Sequence, residues 1–248
     1  IEVTRSRPYQ LSAVSDNLRA PSVGAIAVGA QGWVRNLTSH GDTLDFTFMT
    51  SAPSGGDAYQ YSGNWQIPLG DYGTRFYASF NQSNISIVEE PLTSLDIKSD
   101  TLSVEGGLNQ TLINTLKRRL TFGAGLAFKE NKTTLLGQPF SFIPGLQSGK
   151  SQIMVVRVNK EYIERWEKIV LALRSTFSIG QDMFGSTIQR SHLNPDSEYF
   201  SWLGQARGVW HLPALKSDLV VKGTAQLSDD PLLPLERIAV GGRHTVRG

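Results

Sequence analysis

Cysteine is absent from all 248 residues, so no disulfide framework and no thiolate metal site is available. No run of about 18 apolar residues occurs, which excludes a transmembrane helix. The longest apolar stretches are short, such as Ile169-Val-Leu-Ala-Leu173. A formal charge of +2, with Lys and Arg scattered, offers no patch for nucleic acid. No charged-then-apolar leader opens the chain, which begins Ile1-Glu2-Val3; the expectation is a mature N-terminus or a piece of a larger protein.

Catalytic patterns are equally scarce. His40, His192, His211 and His244 lack ligand-like spacing, so no metal is expected. Gly241-Gly242-Arg243 is followed by neither Lys-Ser/Thr nor a helix, which argues against phosphate binding. No Gly-x-Ser-x-Gly elbow is present. The expectation is a protein that is not an enzyme and has no cofactor.

What is there is alternation with a period of two. From Ala58 to Leu69, Tyr59, Tyr61, Gly63, Trp65, Ile67 and Leu69 share one face, while Gln60, Ser62, Asn64 and Gln66 share the other. Leu44, Phe46 and Phe48 oppose Asp45 and Thr47; Leu171, Leu173 and Phe177 oppose Arg174 and Thr176; Val221 and Leu227 oppose Lys222 and Thr224. Weaker segments fill the gaps, from about Ser6 to Glu198–Leu212, with a phase slip near Gln82 that a bulge or the end of a membrane band would produce. The pattern predicts about eleven strands.

The connections alternate in length. Thr38–Asp42, Gly70–Gly73, Thr115–Arg118, Glu164–Glu167 and Pro213–Ser217 are short; Ser51–Asp57, Val88–Asp100, Glu130–Ser151 and Gln181–Ser197 are long. An outer-membrane barrel has this order, with short periplasmic turns and long extracellular loops. Aromatics near strand ends, including Tyr77, Trp166, Tyr199, Trp202 and Trp210, fit interface girdles. The polar face, with Gln60, Asn64, Gln66, Arg157, Arg174, Arg207 and Lys222, needs a hydrated lumen. The fold class expected is all-β, an antiparallel transmembrane meander barrel. An odd strand count cannot close, and an open edge in lipid is costly, so the expected barrel is incomplete.

Two places carry a resemblance. Asp16-Asn17, Pro21-Ser-Val-Gly24, Asn36-Leu37 and Gly41-Asp-Thr-Leu44 form the first; Gly241, Gly242, Val246, Arg247 and Gly248 at the end form the second. They resemble the TpsB transporters of two-partner secretion, which include haemolysin-activator proteins. The Val-Arg-Gly motif is also found in related outer-membrane assembly factors. The resemblance implies a sixteen-stranded barrel preceded by periplasmic POTRA domains, with residues 1–248 as one partial barrel domain. Residues 229–248 would begin a long loop that enters the lumen, where Arg247 contacts an acid on the inner wall. That acid is expected in strands beyond this chain; Asp45, Glu105 and Glu161, which face inward by pattern, are substitutes within it.

The implied function is export of a large β-rich exoprotein, a haemolysin or adhesin, across the bacterial outer membrane without nucleotide or metal. The implied partners are that client, outer-membrane lipid and the POTRA domains, with a monomeric barrel. A barrel-assembly factor and a plain diffusion porin are the alternatives.

Overall fold

The computed structural model describes residues 7–17, 19–52, 58–189, 191 and 193–238. Alternating side chains and short hairpins lead each strand back along its predecessor, so pairing follows sequence order. The first half comprises β1 (Tyr9–Asp16), β2 (Ala27–Arg35), β3 (Thr43–Ser51), β4 (Tyr59–Pro68), β5 (Thr74–Ser86) and β6 (Lys98–Asn114). The second comprises β7 (Arg118–Leu135), β8 (Gln138–Pro139), β9 (Lys150–Arg165), β10 (Ile169–Gln181), β11 (Phe200–Leu212) and β12 (Ser217–Ser228). One antiparallel sheet runs β1 to β7, then β9 to β12, and is not closed among the described residues. The strand beyond the eleven expected is β8, a two-residue hairpin arm on β7. Leu136 (φ 53°) and Gly137 (φ 74°) both take left-handed backbone at its two-residue turn, the geometry such tight hairpins require. The helical pieces among the described residues are 3-10 turns of three or four residues.

Connections after β4, β6, β9 and β11 run three to five residues and that after β2 runs seven. At the other end those after β1, β5, β8 and β10 run ten or more, that after β3 runs seven, and the β7–β8 hairpin alone is tight. The short strand-to-strand links thus gather at one end of the sheet. The turn after β2 shows how residues flagged in the sequence build such an end. Asn36 (φ 58°), Ser39 (φ 66°) and Gly41 (φ 72°) take left-handed backbone. The Asn36 side chain accepts from the Gly41 amide at 2.8 Å, and Asp42 accepts from the Thr38 amide at 2.9 Å. The Trp65 indole of β4 also donates to Asp42, at 3.0 Å. Burial works to raise the Asp42 pKa, but these hydrogen bonds outweigh it and hold the carboxyl below its ordinary value.

Residues opposite each other across a ladder share a face. From β4 to β10 the register runs Asn64–Ser79–Glu105–Ala127–Val155–Gly180 on one face. Residues 232–238 pack against this face, called inner below. Gln60, Gln66, Arg157, Arg174, Arg207 and Lys222 all fall on it by the same register. Leu44, Phe46, Phe48, Trp65, Ile67, Leu171, Leu173, Phe177, Val221 and Leu227 all fall on the other, outer, face.

The outer face has a defined height. On β7 it reads Arg118, Leu120, Phe122, Ala124, Leu126, Phe128, Glu130, Lys132. Charge thus brackets an apolar band. Above it, Glu130 is paired by Lys132 at 2.6 Å and Lys150 at 3.2 Å; below it, Arg118 pairs with Glu164 at 2.8 Å. Aromatic pairs run along the same face, including Phe48–Tyr61 at 4.9 Å and Trp65–Phe76 at 6.0 Å between ring centroids.

Of the two causes expected for the phase slip near Gln82, the end of the band holds and the bulge does not, and one expectation about aromatics needs correction. Pairing is regular around Gln82, which lies opposite Tyr61 and Leu102; the register shift is in β6, between Thr111 and Ile113. Gln82 and Asn84 are polar because they rise toward the upper rim, where Asn84 donates to Asp100 at 2.6 Å. Tyr77 and Tyr199, expected in an interface girdle, instead turn inward. Tyr77 donates to Glu105 at 2.9 Å, and Tyr199 is buried in the inner-face core.

Candidate functional site on the inner face

The site begins with an exception to the alternation. Ile153-Met154-Val155-Val156 in β9 is apolar on both faces, which a strand tolerates only when both are covered. The outer side belongs to the apolar band. On the inner side Ile153 and Val155, both 0% exposed, gather with Ala127 and Tyr199 beneath Leu232 and Leu233. After β12 the chain turns back, with the Asp229 side chain accepting from the Phe200 amide at 2.7 Å. It then descends along the inner wall: Leu232 bridges to Asp196, and Pro234–Glu236 forms a 3-10 turn.

The turn delivers Glu236 to a charged cluster halfway down the sheet. Arg157, the eighth of sixteen residues in β9, donates through Nη2 to both Glu236 oxygens, at 2.7 and 2.9 Å. Its Nη1 donates to Glu105 at 2.7 Å, and the Tyr77 hydroxyl closes the other side of Glu105. Lys129 reaches Glu236 at 2.8 Å and also donates to the Leu235 carbonyl at 2.9 Å. Gln226 of β12 holds the next stretch, donating to the Glu236 carbonyl at 2.7 Å and accepting from the Ile238 amide at 3.0 Å.

Two cations face two carboxylates here, and the Glu236 side chain is only 6% exposed. A guanidinium gripping one carboxylate through both oxygens is well suited to such a place. Burial alone would raise the Glu236 pKa, but the Lys129 and Arg157 charges outweigh it and hold the carboxyl below its usual value of 4.5. Space for the cluster comes from Gly125, which lies opposite Arg157 in the register. A Cβ there would come within 2.5 Å of the Tyr77 hydroxyl and 2.8 Å of the Gly106 carbonyl.

The inner-face residues singled out from the sequence fall into three groups. Arg157 belongs to the seat just described. Arg174, Arg207 and Lys222 meet Glu161 around a separate hollow of about 460 Å³. Gln60, Asn64 and Gln66 line β4, remote from both. Gly241, Gly242, Val246, Arg247 and Gly248 lie outside the described residues. Sequence reasoning missed Glu236 and Lys129. The both-sided apolar run in β9 was the available signal that something covers this part of the inner wall.

Among the described residues the arrangement binds a segment of its own chain; no group of three or more metal-ligating side chains occurs. A sheet apolar outside, polar inside and occupied by a returning loop defines part of a barrel wall. The haemolysin secretion/activation protein family ShlB/FhaC/HecB matches residues 1–248, and the chain belongs to it. That family's description is secretion and activation, which places the chain outside the enzyme classes. CdiB from Escherichia coli superposes with a TM-score of 0.85 at 18% identity, over 99% of this chain and 45% of that one. CdiB from Acinetobacter baumannii gives 0.68 at 15%, over 97% and 42%. The fold is therefore that of an outer-membrane-type β-barrel, and the chain spans less than half the length of these structures. No curated protein sequence matches.

Proposed function

We propose that the chain forms part of the wall of an outer-membrane pore that exports a large β-rich exoprotein, a haemolysin or adhesin. In this reading the outer face meets lipid and the inner face lines a water-filled lumen, as the sequence implied for Gln60, Asn64, Gln66, Arg157, Arg174, Arg207 and Lys222. The height of the band supports it. Leu120 to Phe128 on β7 is eight steps, about 26 Å at 3.3 Å per residue, or about 20 Å after strand tilt. Trp202 and Trp210 on β11 are spaced the same way, close to the height of about 25 Å between aromatic girdles. A hydrated lumen lets an unfolded chain cross without exposing its backbone to lipid.

The observation that carries the reading is the seating of residues 232–238 on the inner wall through Glu236, Arg157 and Lys129. Residues 229–248 are then the start of a loop that occupies the lumen at rest, held first by Glu236 and further along by Arg247 against an acid of the wall. POTRA domains ahead of a monomeric barrel, and a secreted client, complete the proposed assembly. The test is secretion of a client encoded beside the full-length gene. Arg157→Ala and Arg247→Ala should each leave the barrel folded and cut secretion. Wild-type secretion by both removes the seated loop from the transport cycle. Assembly defects in other barrels, with secretion intact, would mark an assembly factor instead.

A further inference from the structure

The outer face is not uniformly filled. Between β9 and β12 a hollow of about 810 Å³ opens on the outer side. Its floor is made by Ser175, Gly204, Ala206, Gly223 and Ala225, which share the outer register with Leu173 and Trp202. Leu120, Tyr162 and Leu173 bound it, and the Trp202 ring lies over Gly204 with its indole N–H donating to Ser175 at 2.8 Å. The hollow is open to whatever surrounds the sheet: a Cβ at Gly223 meets nothing within 4 Å.

One wall residue is out of keeping. Lys160 lies opposite Phe122 and Ser175, within the apolar band of this face. It has no carboxylate partner among the described residues, where every ion pair of the outer face lies above or below it. Its ammonium stands 5.8 Å from the Phe122 ring centroid. A lysine on a lipid-facing wall is costly unless its head reaches an anion or the interface. Lys160 is two residues from Tyr162, which lies opposite Leu120 at the foot of the apolar band, about 7 Å along the strand. Its head can therefore approach the headgroups of the leaflet on the short-turn side.

We propose that this hollow binds one anionic phospholipid, an acyl chain lying along the glycine–alanine floor and the phosphate paired with Lys160. The inference rests on the reading of the outer face as lipid-facing. Apolar volume beside a single unpaired cation complements an anionic amphiphile. A zwitterionic lipid fills the floor equally well but gains less from Lys160, since each lysine near a membrane surface favours anionic lipid about fivefold.

Native mass spectrometry tests this on the full-length protein in detergent, titrated separately with phosphatidylglycerol and with phosphatidylcholine of the same chains. The wild type should retain one phosphatidylglycerol about fivefold better than phosphatidylcholine. Lys160→Met should bring the two to parity, Lys160→Arg should keep the preference, and Gly223→Leu should lower retention of both lipids. Glycerol phosphate should not compete, because it has no chain to lay in the hollow. An unchanged preference in Lys160→Met overturns the proposal, as does competition by glycerol phosphate or a lipid-free dimer across this face. Migration of each variant as a folded barrel in unheated gels guards against misfolding. Failure of the wild type to insert into phosphatidylcholine vesicles would sink the lipid-facing reading itself. Insertion without headgroup preference would sink only the lipid site.

Discussion

The inner wall of β2 to β4 and the inner wall of β7 to β9 obey the same alternation and carry different contents. The first is mostly polar, with Gln31, Thr47, Gln60, Ser62, Asn64 and Gln66 and the charges of Arg35 and Asp45 in separate places, and no returning segment lies on it among the described residues. The second is apolar at Ala127, Ile153 and Val155, with Lys129 level with Ile153 and Arg157 one inward position below Val155; residues 232–238 cover it. The alternation decides which side chains face inward. What those side chains are decides whether that wall holds water or a piece of the protein. The covered half is the place where removing one residue has consequences beyond itself.

The largest expected effect follows from removing Arg157. Arg157→Ala leaves Glu105 without a cation and Glu236 with Lys129 alone, at a cost of about 3–5 kcal/mol for a well-buried pair, less where water enters. Hydrogen exchange should show residues 232–238 losing protection while the β7–β9 ladder keeps its own. Unchanged protection of 232–238 would erase the contrast between the two walls. Leu233→Ala removes the deepest apolar contact and should loosen the same segment by about 2–5 kcal/mol, with exchange again the readout.

On the opposite face, Phe177→Arg should cost about 2–4 kcal/mol, since Phe177 lies opposite Val158 within the apolar band. Leu171→Arg should cost at most about 1 kcal/mol, because Leu171 lies opposite Glu164 below it. Arg174→Leu, on the same strand and facing the inner wall, should be nearly neutral. Equal losses of folding into lipid vesicles would undo the assignment of faces.

Acid offers a graded version of the first experiment. Glu236 has its folded pKa lowered, so its contribution is complete above the ordinary value of 4.5 and is lost as pH falls through the lower, folded value. Protection of 232–238 should therefore hold at neutral pH and fade below about pH 4.5, while Glu236→Gln shows no such fading. The smallest effect belongs to the open wall. Gln60→Ala and Gln66→Ala, half-buried and outside the core, should stay within about 0.5 kcal/mol of wild type and should not alter exchange at 232–238.

Much of this was legible in the sequence, for a physical reason. Strand facing depends only on parity, so Trp65, Phe177, Gln60 and Lys222 could be assigned before any pairing was known. Loop order followed from the glycines and short polar links. Boundaries such as Thr43, Thr74 and Leu212 were legible because turn residues mark them. The seat was not. Glu236 lies 79 residues from Arg157 and 131 from Glu105 in sequence, and no local pattern couples them. Tyr77 and Tyr199 were misplaced because an aromatic near a strand end suits a membrane interface and a lumen core alike. Only Ile153-Met154-Val155-Val156, apolar where alternation calls for a polar residue, announced the cover.

In the proposed pore, Glu236 and Arg157 together hold the returning loop in the lumen. Single-channel conductance of the full-length protein in planar bilayers tests it, using Arg157→Ala, Glu236→Ala and the double substitution. Each single change should raise the open fraction, and the double should match the more open single rather than their sum, because the two residues act through one contact. Wild-type conductance in both singles, or strictly additive effects in the double, would contradict it.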